Sequence, residues 1–138
     1  MKKQTLAVVV ALVSSGVFAS QCFARPGVLE ANVPFAFEAG NKRFPAGQYQ
    51  IESVTTGAET LEVIRQVNGG GRATFSTIAL ERHSTNSQPQ LIFHRYGNNF
   101  FLYQISNGEG KARQLFESKQ EKEAAKHDAR REVAVAVQ

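Results

Sequence analysis

Residues 90–105, QLIFHRYGNNFFLYQI, decide the fold: two apolar, aromatic-rich runs flank a Gly97-Asn98 turn signal, with His94, Arg95 and Tyr96 just before the turn. A two-residue turn there sets Tyr96 opposite Asn99, Arg95 opposite Phe100 and His94 opposite Phe101. Alternation then puts Ile92, His94, Tyr96, Phe101 and Tyr103 on one face, and Leu91, Phe93, Arg95, Phe100 and Leu102 on the other. Both faces carry large apolar groups, whereas a sheet with one face in water alternates more cleanly, so each side of this hairpin is expected to be covered.

Upstream, NVPFAFEAG (32–40) alternates Val33, Phe35 and Phe37 against Pro34, Ala36 and Glu38, the period of a half-buried strand. Pro34 has no amide hydrogen to give, which places this strand at an edge or at a strand start. Gly40-Asn41 and Pro45-x-Gly47 mark two reversals, and a strand over about 48–54 follows with Tyr49 and Ile51 on one face. TLEVIRQV (60–67) alternates again, setting Leu61, Val63 and Val67 against Glu62, Ile64 and Gln66, with Arg65 interrupting the apolar side. NGGGR (68–72) closes it as a turn; a phosphate loop would need a helix and its lysine next, and a β-prone run, ATFSTIALERH (73–83), follows instead. STNSQPQ (84–90) is a loop leading into the hairpin.

After residue 110 the pattern changes. KARQLFESKQEKEAAKHDARRE (111–132) is rich in helix formers and free of Gly and Pro, so a mostly polar helix is expected, gripping the sheet through Ala112, Leu115 and Phe116. VAVAVQ (133–138) is a short β-prone tail that pairs with an exposed edge or stays loose. The expectation is a mainly β fold: a compact antiparallel barrel or sandwich of about seven strands over 25–110, then a C-terminal α-helix.

The N-terminus reads as a secretory signal over residues 1–24: Lys2 and Lys3, an apolar run from Leu6 to Val13, then small residues, with cleavage after Ala24 favoured over Ala19. The run is too short to span a bilayer, so the mature chain is expected to carry no transmembrane segment. Cys22, the only cysteine, sits in that leader; ASQC places Ala19 and Gln21 where a lipid-attachment signal wants a large aliphatic and a small residue. Cleavage after Ala24 leaves 114 residues, one domain, without a thiol for an internal disulfide. Losing Lys2 and Lys3 leaves 14 basic against 12 acidic side chains, lowering the formal charge from +4 to +2, a modest excess that does not point to nucleic acid. Periplasm or extracellular space is the expected location.

Chemistry-bearing patterns are sparse. Asp128 is the only aspartate, beside His127 in the polar stretch, and no G-x-S-x-G elbow occurs, so no catalytic residues are assigned. Glu81, His83 and His94 could supply a two-His, one-carboxylate metal set only with a particular strand register; lacking any metal-binding spacing, no metal or other cofactor is assigned. GEGKAR (108–113) lacks both the first glycine and the hydroxyl of a phosphate loop. His94 reads either as a partly buried imidazole with a backbone partner or, with Tyr96, Phe101 and Tyr103, as a wall that contacts a ligand.

VPFAFEAGNKRFPAGQYQI (33–51) and LIFHRYGNNFFLYQI (91–105), followed by a Lys/Glu-rich helix, make the chain resemble a group of small exported proteins of acidobacterial and similar soil bacteria. The resemblance spans most of residues 32–120 and implies export and a β architecture; it carries over no functional residue, and this chain departs in its longer polar helix and VAVAV tail. Three functions are therefore weighed. The first is a non-enzymatic envelope or extracellular module that binds a protein, glycan or small molecule. The second is a small-ligand carrier with a pocket near His94 and Tyr103, and the third is a His/Glu hydrolase.

Overall fold

A computed structural model describes residues 27–56, 59–81, 88–108 and 110–137. The expected signal segment and His83 lie outside them. Ten strands and one helix follow in order: β1 Val28–Val33, β2 Phe37–Ala39, β3 Lys42–Phe44, β4 Gly47–Thr56, β5 Glu59–Gln66, β6 Arg72–Glu81, β7 Gln90–Tyr96, β8 Asn99–Ser106, β9 Lys111–Leu115, α1 Lys119–His127 and β10 Arg131–Ala136. The strands form one mainly antiparallel sheet in the order β1-β4-β5-β6-β9-β8-β2-β3, with β7 pairing both β8 and β10. The sheet is not a closed ladder, although an isolated bridge between Ala31 and Val137 brings the end of β10 to β1.

The hairpin has the expected register: Tyr96 pairs with Asn99, Arg95 with Phe100 and His94 with Phe101. Gly97 takes φ +61° at the turn, a conformation glycine reaches without strain. One feature departs from the ideal ladder. Ile92 pairs with Gln104 but Phe93 with Leu102, so Tyr103 is an extra residue in a bulge and its ring turns onto His94.

The number of strands exceeds the expected seven for identifiable reasons. Pro34 stops the first expected strand, splitting it into β1 and β2. The helix expected over 111–132 is confined to Lys119–His127. Lys111–Leu115 is a strand despite its helix-forming composition, because it fits between β6 and β8: Gln114 pairs with Ile78 on one side and Gln104 on the other. Two sets of ladder hydrogen bonds, with Ala112 and Leu115 buried, outweigh a propensity difference of a few tenths of a kcal/mol per residue. Phe116, expected to grip the sheet, is exposed. The tail is a paired strand: β10 runs antiparallel to β7, turning Val133 and Val135 toward the core. The expected boundary at residue 110 is therefore not a boundary of the sheet.

β5 faces the opposite way from its expected orientation. Glu62 and Ile64 are buried while Leu61 and Val63 are half-buried and Val67 is exposed. The side carrying Arg65 turns outward, where Arg65 Nη2 donates to Gln50 Oε1 at 2.9 Å, and Ile64 pairs with Ile51 across the ladder. Tyr49 and Ile51 share the inner face, as their spacing predicts.

The inner face is uneven along its length. Toward one end Phe37, Phe44, Tyr49 and Phe93 pack ring against ring, with centroids 5.0–5.6 Å apart, and the Tyr49 hydroxyl donates to the carbonyl of Pro45. Each such aromatic pair adds about 0.5–1.5 kcal/mol beyond its area. Toward the other end the lining mixes Leu29, Ile51 and Ile105 with Ser53, Glu62 and Arg113, and space opens.

Candidate functional site

Two buried glutamates organise the polar chemistry. The first, Glu121, hangs from the first turn of α1. Ser118 caps that turn, its hydroxyl accepting from the Glu121 amide at 3.1 Å, which fixes the carboxylate over the outer face of β7. There Glu121 Oε1 lies 2.7 Å from His94 Nδ1 and accepts from the Tyr96 hydroxyl at 3.1 Å. Tyr103 stacks on the imidazole at 3.8 Å, and Phe101 meets Tyr96 edge-on at 5.9 Å. His94, Tyr96, Phe101 and Glu121 are 1–5% exposed, so the cluster is buried. Burial, then the Glu121 charge and hydrogen bond, push the Tyr96 phenol up to about 12.

The four residues expected to contact a ligand are thus brought together, but around a carboxylate from the chain itself. His94 has a carboxylate partner where a backbone one was expected. Glu121 was the missing member; the Ser118-x-x-Glu121 pattern before it is a helix-start signal that sequence could have offered.

The second glutamate, Glu62, is 1% exposed and faces inward from β5. Ser53 Oγ, directly across the β4–β5 ladder, lies 2.8 Å from both of its oxygens, and Arg113 Nε of β9 is 3.1 Å from Oε1. Arg113 is itself held by Thr77, with Nε 2.5 Å from the hydroxyl and Nη2 3.0 Å from the carbonyl. Burial pushes the Glu62 carboxyl up, against the lowering effect of Ser53 and Arg113. This cluster borders a cavity of about 570 Å³, whose wall adds Leu29, Ile51, Ile105 and Ala112. Pockets that hold small molecules run from roughly 300 to 1,000 Å³, apolar with a few convergent polar groups, and this one fits that pattern.

Sequence reasoning missed this site because it took Leu61, Val63 and Val67 as the apolar side of their strand, opposite Glu62.

A second opening, of about 370 Å³, lies between β2, β6 and the start of α1; Glu38, Asn41, Phe101, Phe116 and Lys119 are among its lining. It reaches Phe101 and Glu121 but not His94, Tyr96 or Tyr103. The metal set considered from sequence required β6 beside β7. In the fold β9 and β8 stand between them, and no group of three or more His, Cys, Asp or Glu among the described residues is arranged to hold a metal ion. No helix among the described residues is long and apolar enough to cross a membrane. Comparison with protein-family models, curated proteins and solved structures finds no match.

Proposed function

We propose that this chain is an exported, non-enzymatic binding module whose curled sheet works as a barrel-like cup for a small, partly apolar molecule. The observation that carries this reading is the end cavity, with aliphatic walls on one side and the Ser53–Glu62–Arg113 cluster on the other. A buried ion pair is weak evidence for stability, because desolvation offsets much of the attraction. Keeping one beside an open cavity makes sense when the pair orients an occupant.

The pocket of the carrier reading therefore moves from His94 and Tyr103 to the opposite face of the sheet. The hydrolase reading loses ground for the same reason: His94 is 3% exposed and already engaged by Glu121. An envelope protein or glycan as partner draws its support from the opening beside α1, where Phe116 stands 66% exposed at the rim.

Native mass spectrometry of the exported protein, recovered without denaturation, tests the proposal. A co-purifying small molecule is expected in the parent chain and is expected to be absent from Ala79→Phe, which fills the cavity from its wall. Parent protein that is always empty, and whose melting does not respond to a panel of amphiphiles, would overturn it. A ligand at one hundred times its Kd should add about 2.7 kcal/mol.

A further inference from the structure

We infer that the occupant of the end cavity carries a carboxylate head, held by Arg113 and Lys111, with its apolar remainder against Leu29, Ile51 and Ile105. The inference rests on the binding-module reading above and names its ligand class.

The order of the charges from depth to mouth decides the sign. Glu62 is deepest: its side chain is 1% exposed, accepts from Ser53 and is ion-paired with Arg113. Arg113 lies outside it, with 24% of its side chain exposed. Lys111 is exposed at the lip of the same cavity. A cationic head would meet Lys111 and Arg113 before it reached Glu62, the only carboxylate among the described lining residues, and that carboxylate has its partners. An anionic head meets two cations first.

Donor counting points the same way. A guanidinium presents five N–H donors and no acceptor. Among the described residues, Glu62 and Thr77 engage Nε and Nη2, and nothing engages Nη1. Thr77 and Glu62 fix the plane of the guanidinium, and Arg113 lines the cavity. A planar carboxylate accepts from a guanidinium edge in a bidentate manner, with charge-assisted hydrogen bonds about twice as strong as neutral ones. An ester or an alcohol would accept more weakly and leave Lys111 unanswered. The apolar side of the cavity sets the rest of the molecule: Leu29, Ile51 and Ile105 offer no hydrogen-bonding group, so an aliphatic or aromatic body is favoured over a sugar.

Three dansylated probes sharing one undecyl chain test this: the carboxylic acid, its methyl ester and the corresponding primary amine, each titrated into the exported protein by fluorescence. The acid is expected to bind about tenfold more tightly than the ester, a difference of about 1.4 kcal/mol, and the amine more weakly still. Added salt should narrow the gap. In a chain carrying Glu62→Leu and Arg113→Met together, no buried charge is left unpaired; ester binding should persist and the preference for the acid should vanish. Lys111→Met, at an exposed position, should weaken the acid about threefold and spare the ester, in keeping with one exposed charge.

Equal affinities for acid, ester and amine would overturn the head-group inference while leaving the binding module standing. An acid preference retained in the double variant would overturn it as well. Failure of all three probes to bind would count against the cavity itself. Should the double variant not fold, the ranking of the three probes in the parent chain and in Lys111→Met decides alone.

Discussion

Glu62 and Glu121 are both buried, both accept a side-chain hydroxyl and both lie against a nitrogen base, yet they do different work. Glu121 is buried under α1 and joins two separated pieces of chain, the helix and, through His94 and Tyr96, strand β7. Glu62 borders the larger cavity; Ser53 lies on β4, laddered directly to its strand, and Arg113 lies on β9, with β6 between. A buried polar cluster that closes on itself locks tertiary structure, whereas one beside a cavity leaves capacity for something else. The difference is one of what remains unmade.

The comparison breaks most visibly in stability. Glu121→Ala strips His94 and Tyr96 of their shared partner and should cost about 3 kcal/mol in urea denaturation, loosening α1 and β10. A loss under 1 kcal/mol would mean that the helix is held by something else. At the other cluster, Arg113→Met alone leaves Glu62 unpaired and should cost about 2 kcal/mol, while adding Glu62→Leu should bring stability back to within about 1 kcal/mol of the parent. If the double variant were the worse of the two, the pair would be a structural lock like Glu121.

The two clusters should also separate by pH. Burial raises Glu62 above its ordinary 4.5, so the folded chain binds this proton more tightly than the unfolded chain does. Its contribution is fully present below 4.5 and is lost as pH rises through the folded value. Tyr96 acts in the alkaline range: the folded chain holds its proton to about 12 against 10.0 when unfolded, so its contribution is intact below 10.0 and disappears as pH climbs toward 12. Denaturation midpoints across pH should lose the first slope in Glu62→Gln and the second in Tyr96→Phe, each leaving the other in place. The smallest effect belongs to the exposed Lys126–Glu123 pair at 2.7 Å, where Lys126→Ala should change stability by only about 0.3 kcal/mol.

The hairpin was legible because turn chemistry and alternation agree there: Gly97-Asn98 fixes the register, and every expected pairing up to the bulge is present. The bulge at Tyr103 was not legible, since an extra residue leaves no mark in an alternating run. Lys111–Leu115 misled because local propensity favours helix while the slot between β6 and β8 favours strand, and the slot exists only once distant strands have met. TLEVIRQV misled more instructively. Both of its faces hold apolar residues and one charge, and which charge turns inward depends on Ser53 and Arg113, 9 residues before Glu62 and far along the chain after it. The four residues named around His94 do form one cluster, but its occupant is Glu121, supplied by a helix whose docking no periodicity foretold.

The most direct measurement is a heteronuclear NMR titration of the protein with the dansylated undecanoic acid. Shift changes should concentrate at the amides of Ser53, Thr60, Glu62, Lys111 and Arg113, leaving His94, Tyr96 and Tyr103 unmoved. Changes centred on β7 and α1 instead would return the binding site to the aromatic cluster and contradict the assignment of the two glutamates.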